Sequence, residues 1–211
     1  MARIEGTDKK DEILTLTAHY DSVPEGPGAY DNMAGAAIIM ELCRYFQQYR
    51  PRRTMEFVWF GAEEKGLLGS RDYIRVHESE LGAHRFNMNV DLAGQLIGGN
   101  VLGVTGEASV CDKLLEIADG AGIGASVKNQ IWGSDSNSFA WKGIPAMTLN
   151  RDGFGMHTRY DTIDLLSAWS LERSAILLGC IADALGNAEV FPFERKMPEK
   201  FIGELDEYMC R

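Results

Sequence analysis

Cysteine is scarce and scattered. Cys43, Cys111, Cys180 and Cys210 stand singly, with no C-x-x-C pair among them. That spacing excludes a dense disulfide framework and a cysteine-type zinc site, although an even count leaves disulfide pairing open. Cys43, Cys111 and Cys180 fall in apolar, helix-like stretches and read as buried thiols, in keeping with a reducing compartment. Positive charge is short as well: 21 Lys and Arg face 31 Asp and Glu, a formal net charge of −10. Such a balance argues against a nucleic-acid or anionic-membrane partner. No apolar run approaches the roughly 18 residues of a membrane span, and no signal peptide is visible at Met1. Since Met1-Ala2-Arg3 runs almost directly into strand-like sequence, the compartment stays open: secreted or periplasmic if a signal segment has been trimmed, cytoplasmic otherwise. Repeats, low-complexity tracts and interdomain linkers are missing too. What remains is 211 residues of ordinary globular composition, enough for one domain with a sizeable core.

The pattern along the chain alternates strands with helices. Residues 2–6 and 12–19 read as strands joined by a polar turn, the second ending in His19. Pro24, Gly26, Pro27 and Gly28 make residues 20–31 a loop. A helix is expected from Asn32 to about Tyr49, with Ala36, Ile39, Met40, Cys43 and Phe46 on one face and Asp31 at the cap position. Strands follow at 54–60, 86–92, 100–105, 125–131 and 144–149, and helices at about 67–77, 107–119 and 169–186. Residues 133–139 look like a loop capping a helix, 150–163 form a Gly-rich polar loop, and a short helix is expected from Glu199. This order predicts a single three-layer α/β/α domain with a central mixed, mostly parallel sheet. Ligands in such folds bind outside the strand carboxyl ends.

The side chains expected there are rich in metal donors. One stretch, Thr54 to Ser70, runs as an apolar strand, breaks at Gly61 and presents the adjacent acids Glu63 and Glu64. Neighbouring side chains on an extended or turning backbone point in different directions, so the two acids suit different jobs: one holding a metal, one facing a water. An isolated Glu-Glu pair is far more often a solvated turn. Likewise, His19 alone reads as a structural histidine, Asp31 as a helix cap, Asp91 as a turn cap, and His157 as a loop histidine hydrogen-bonded to Asp161. Together, however, His19 with Asp21, Asp31, Glu63 and Glu64, Asp91 and His157 gather imidazoles and carboxylates at successive strand ends, a donor set that suits zinc. Without a metal the carboxylates would repel one another. The other two histidines, His77 and His84, lie in a charged segment and read as surface residues.

Five ordered blocks carry a resemblance: Ala18-His-Tyr-Asp-Ser22, Ala29-Tyr-Asp-Asn-Met-Ala-Gly35, Gly61-Ala-Glu-Glu-Lys-Gly-Leu-Leu-Gly-Ser70, Asn89-Val-Asp-Leu-Ala93 and Met156-His-Thr158. They closely resemble the M28 family of zinc metallopeptidases, over about residues 12–187. The resemblance implies a catalytic domain over 1–187, with an opening helix and strand of the usual domain missing, and a C-terminal tail over 188–211 outside it. It implies two zinc ions per chain: His19, Asp31 and Asp91 on one, and Asp31, Glu64 and His157 on the other, with Asp31 bridging. Glu63 would be the general base and Asp21 would orient His19. The Asp31–Asn32 peptide would be cis. The implied activity is aminopeptidase: hydrolysis of the first peptide bond of a peptide with a free amino terminus. Trp132, Phe154, Met156 and Tyr160 are candidates for the substrate pocket, while Phe139 and Met147 read as core. Some relatives place a tyrosine before the Ser-Asp of the 131–139 loop to assist the oxyanion; here Ile131 and Trp132 stand there, leaving Tyr160, Asn150 and Arg151 as substitutes. Three alternatives share the fold. A glutaminyl cyclase-like acyltransferase would use one zinc. A receptor-type binding module would have lost ligands. A carboxypeptidase or deacylase would need a cation for a free carboxylate, for which Arg151 is the candidate.

Overall fold

Central strands covered on both faces are buried on both faces, and three strands here are. In the computed structural model, which describes residues 1–210, the strands Lys9–His19 (β2), Arg53–Phe60 (β3) and His84–Val90 (β4) are buried along most of their length. With Ala2–Ile4 (β1), Asn100–Thr105 (β5), Ala125–Asn129 (β6) and Ala146–Arg151 (β7) they form one seven-stranded sheet in the order β1-β3-β2-β4-β7-β5-β6. β3, β2, β4 and β7 run parallel as a contiguous block. β1 is antiparallel to β3 at one edge, and β5 is antiparallel to β7 and parallel to β6 at the other. The sheet is thus mixed and mostly parallel, in a single domain, as the alternating pattern predicts.

Two layers of helix cover it. Ala34–Gln48 (α1), Ala108–Gly120 (α3) and Ala168–Asn187 (α5) pack Ile38, Ile39, Phe46, Leu114, Leu178 and Ile181 against one face, where they meet Met55 and Phe57 of β3. Leu68–Val76 (α2), Ser136–Trp141 (α4) and Glu199–Met209 (α6) cover the other, where Tyr73, Phe139, Phe201 and Leu205 meet Val58 and Phe60 of the same strand. Met55 and Phe57 on one side and Val58 and Phe60 on the other express the period of two of a strand. The C-terminal segment thus packs through α6 into the same core. Among the described residues no helix is long and apolar enough to cross a membrane.

Several local expectations are corrected. α1 starts at Ala34, because Asp31 and Asn32 are non-helical (φ −118°, ψ 86° and φ −143°, ψ 35°) inside a five-residue turn, Ala29–Met33. Asp31 therefore does not cap the helix; the cap position is Met33, which makes no side-chain cap bond. Met40 is 60% exposed, and the buried face of α1 runs through Ala36, Ile39, Cys43 and Phe46 with Ile38 and Leu42 beside them. Of the three cysteines expected inside, only Cys43 is buried; Cys111 and Cys180 are half-buried, and all four thiols are free. His84 and His77 are not surface residues. His84 is 1% exposed at the start of β4, its Nδ1 3.3 Å from Thr15 Oγ1. His77 is half-buried, its ring stacked on Tyr73 at 4.2 Å.

Glycine substitutions should separate packing from propensity. An added Cβ at Gly35, in the first turn of α1, would lie 2.4 Å from Asn32 Oδ1 and 2.9 Å from the Val90 carbonyl. Gly203 in α6 has nothing within 4 Å. Gly203→Ala should raise the unfolding free energy by up to about 1 kcal/mol through helix propensity. Gly35→Ala should lower it by about 1–3 kcal/mol through overpacking, both read by denaturant titration. Acid should act through His84. Burial, reinforced by the charge of Arg195, pushes its pKa down from 6.5 to about 4. The unfolded chain therefore binds a proton that the folded chain refuses, and stability falls as pH drops from 6.5 towards 4. In metal-free protein, wild type should lose more stability over that interval than His84→Gln, by up to about 1.4 kcal/mol per pH unit.

Candidate metal centre

The four parallel strands end at one edge of the sheet, and each delivers an ionisable side chain there. His19 is the last residue of β2. β3 ends at Phe60, and Gly61 and Ala62 turn the chain into Glu63 and Glu64. Asp91 directly follows β4, and His157 lies in the loop after β7. Asp31 comes from the turn Ala29–Met33, whose Asp31–Asn32 peptide is cis. Left-handed backbone marks the same places. Ala62 (φ 58°), Leu92 (φ 64°) and His157 (φ 57°) sit beside or at candidate ligands, a conformation uncommon for residues other than glycine. Strain of that kind concentrates at functional sites.

Asp31 stands between the two imidazoles. Its Oδ1 is 3.2 Å from His19 Nε2 and its Oδ2 is 3.1 Å from His157 Nε2. His19 Nε2 also lies 3.4 Å from Asp91 Oδ1, and His157 Nε2 lies 3.1 Å from Glu64 Oε2. Two donor groups result, His19–Glu63–Asp91 and Asp31–Glu64–His157, each with ligand atoms within 4.8 Å of one another. Glu63 thus lies within ligand range of His19 and Asp91, closer to the donors than a base standing apart would be. Asp21 organises the ensemble from below. Its carbonyl is 3.2 Å from His19 Nδ1, and its carboxylate accepts the amide N–H groups of Glu63 (3.1 Å) and Glu64 (3.3 Å).

The electrostatics are those of anionic crowding. Burial alone would depress His19, but hydrogen bonds that it donates to Asp31 and Asp91 and the charges of Asp91 and Glu63 outweigh it and push its pKa up to about 12. Burial, then the charge of Asp91, pushes Glu63 up to about 9. Burial and Asp31 raise Glu64 as well. Glu64 Oε1 is buried with no hydrogen-bond partner. Imidazole nitrogens and carboxylates in two tight groups, one with an orphaned buried oxygen, match the ligand chemistry of zinc.

Other candidates fall differently. Phe154, Met156 and Tyr160 are 57%, 42% and 61% exposed, and Trp132 is half-buried with its ring against Gly103 of β5. Phe139 and Met147 are core, as read from sequence. Arg151 is 6% exposed. Its guanidinium donates to the carbonyls of Gln95 (2.6 Å) and Leu96 (3.2 Å) and to Asn100 Oδ1 (3.3 Å), so it is not free for a substrate carboxylate or an oxyanion. Asp161 does not pair with His157; it accepts backbone N–H groups of the Ala29–Met33 turn. Residues 134–138, in the stretch read as a loop capping a helix, are buried throughout, and α4 begins among them at Ser136. Ser134, Ser136 and Ser138 pair with Asn89, Thr148 and Ser70 at 2.8, 2.7 and 2.8 Å. Asp135 within it, fully buried, is pushed by burial up to about 7. The burial of these residues carried no sequence signal, since a run of Ser, Asp and Asn ordinarily reads as a turn.

The profile of peptidase family M28 matches residues 1–179. The chain belongs to peptidase family M28. It is 30% identical over 161 residues to Aminopeptidase YwaD of Bacillus subtilis, covering 76% of this chain and 32% of that protein. It is 25% identical over 196 residues to Carboxypeptidase Q of Rattus norvegicus, covering 90% and 41%. Among solved structures, BSAP, a zinc aminopeptidase from Bacillus subtilis, superposes with a TM-score of 0.80 at 26% identity, covering 92% of this chain and 52% of that one. A peptidase M28 precursor from Shewanella amazonensis superposes at 0.79 with 30% identity, covering 93% and 46%. The chain thus spans between about a third and a half of the length of these relatives.

If Asp21 holds the Glu63–Glu64 turn and His19 together, Asp21→Asn should weaken divalent-metal binding by about 10–100-fold. The amide can accept only one of the two backbone N–H groups and turns a donor towards the other. Competition with a chromophoric chelator measures it.

Proposed function

We propose that the chain carries the catalytic centre of a zinc aminopeptidase, which hydrolyses the first peptide bond of peptides with a free amino terminus. The observation that carries this reading is Asp31 set between His19 and His157, with Asp91, Glu63 and Glu64 closing two donor groups around it. His19, Asp31 and Asp91 would hold one ion; Asp31, Glu64 and His157 would hold the other. Zinc in such a site activates a water near neutral pH and polarises a carbonyl. The aminopeptidase name of the Bacillus subtilis relative supports the substrate class.

The chain's own groups then have distinct work. Glu63 takes the proton of the attacking water and returns it to the leaving amine. Its pKa of about 9 belongs to the crowded site without cations; positive charge beside it lowers that value and leaves it ionised as a base. Asp21 keeps Glu63 and Glu64 at fixed angles through their amides. The surplus carboxylates attract a protonated amino terminus. Phe154, Met156 and Tyr160, exposed on or beside the His157 loop, and Trp132 are the apolar surfaces available to the first side chain of the substrate. A carboxypeptidase reading has the name of the rat relative in its favour, but the cation it would use, Arg151, is bound to buried carbonyls.

Assay with an aminoacyl-p-nitroanilide tests the reading. Activity should disappear with 1,10-phenanthroline and return with zinc, and metal analysis should find two ions per chain rather than the single ion of a cyclase. Glu63→Gln should keep its metal and lose about 10²–10⁴-fold in kcat. Near-normal turnover in that variant, or activity that survives stripping of the metal, would sink the proposal.

A further inference from the structure

The exposed member of the centre is His157, whose side chain is 47% accessible in a loop well after β7. A metal site nevertheless needs its ligand atoms placed to within about 0.2 Å. The other ligands ride on strand ends or on anchored turns. Asn32 Nδ2, next to Asp31, donates to the Val90 carbonyl at 2.8 Å and so ties the Asp31 turn to the end of β4. What ties the His157 loop to that turn is a separate set of contacts, centred on one carboxylate.

We propose that Asp161 is a positioning residue that sets the separation of Asp31 and His157, by joining the loop before α1 to the loop after β7. The proposal rests on the metal-centre reading above. Asp161 is 1% exposed. Its Oδ1 accepts the Tyr30 amide at 2.6 Å and its Oδ2 accepts the Asp31 amide at 3.0 Å. Its own carbonyl accepts the Ala29 amide at 3.2 Å, and its amide donates to the carbonyl of Thr158, the residue after His157, at 3.1 Å. One residue thus grips three successive amides on one loop and the neighbour of His157 on the other. The surrounding contacts leave no slack. An added Cβ at Gly26 would lie 2.4 Å from the Thr158 carbonyl, and the Tyr30 hydroxyl donates to the Arg151 carbonyl at 2.5 Å. Only a carboxylate satisfies both side-chain contacts, because both partners are donors; bonds to its charge are about twice as strong as neutral ones. Since Asn32 holds Asp31 to β4 independently, loss of the Asp161 carboxylate releases chiefly His157, and the ion that His157 would hold suffers selectively.

Zinc titration of the metal-free chain against a chromophoric chelator tests this. Wild type should take up two ions. Asp161→Asn should bind the first with wild-type affinity and the second about 10–100-fold more weakly. His157→Ala, which removes the ligand itself, should show the same asymmetry more strongly. If both ions bind Asp161→Asn as they bind wild type, or both weaken equally, the positioning role is refuted. A wild type that takes up fewer than two ions refutes the metal-centre reading instead. Should the variant fail to fold, amide hydrogen exchange in metal-free wild type decides: the Tyr30 and Asp31 amides should exchange slowly, and exchange at the rate of open loop amides overturns the proposal.

Discussion

Carboxylate crowding is the constraint on which the rest of this structure turns. Asp31, Glu63, Glu64 and Asp91 share one end of the sheet with two imidazoles, and no lysine or arginine forms an ion pair with any of the four among the described residues. Left to themselves such groups separate or take up protons, and burial first, then the charges of Asp91 and Asp31, raises Glu63 and Glu64 in that direction. Separation is blocked by the backbone. Glu63 and Glu64 are held by their amides on Asp21, and His19 and Asp91 sit at the ends of neighbouring strands that are nearly inaccessible to water. The left-handed residues Ala62 and Leu92, each beside an acid, belong to the same account: the chain tolerates poor local geometry to keep its charges together.

The interior beneath these charges is polar where a sheet face is usually apolar. Thr17 Oγ1 donates to Asn89 Oδ1 at 2.8 Å and accepts from Asn87 Nδ2 at 3.1 Å, while Asn89 reaches Ser134 and Thr148. All five are fully buried. Asn87 Oδ1 alone of this group has no partner; the bonds that are made rigidify the site, because breaking one leaves a partner stranded in a low-dielectric interior. The face towards α2 and α4 near the site is therefore a hydrogen-bonded support, while the face towards α1, α3 and α5 carries the larger apolar core.

Much of this was legible in the sequence because strand ends are legible. His19, Glu63 with Glu64, and Asp91 each follow an apolar β-prone run, and the order of strands and helices is enough to bring such ends to one edge. Long-range partnerships were not. Asp161 lies 130 residues from the amide it holds at Asp31, and nothing local distinguishes it from any loop acid. His84 was misread because its neighbours are charged, whereas its side chain points into a box made by Thr15, Tyr73 and Phe139. The 133–139 segment was read as a loop capping a helix, and α4 does begin within it; its burial was not legible, because polar residues normally mark solvent and here they face a polar interior. Arg151 could be read only as a charge, since its engagement with the Gln95 and Leu96 carbonyls depends on the turn those residues make.

The position of β7 in the sheet has a kinetic meaning. β4 and β5 are consecutive in the chain, yet they are not neighbours: β7, residues 146–151, lies between them and pairs with both. A growing chain can assemble β1 to β4 as one sheet and β5 with β6 as another, but these halves share no ladder until the last strand is made. Loops of such length close slowly. His157 follows that strand by six residues. The second imidazole therefore arrives only with the event that turns two sheets into one, and until then the acids gathered at the first four strands have one histidine among them.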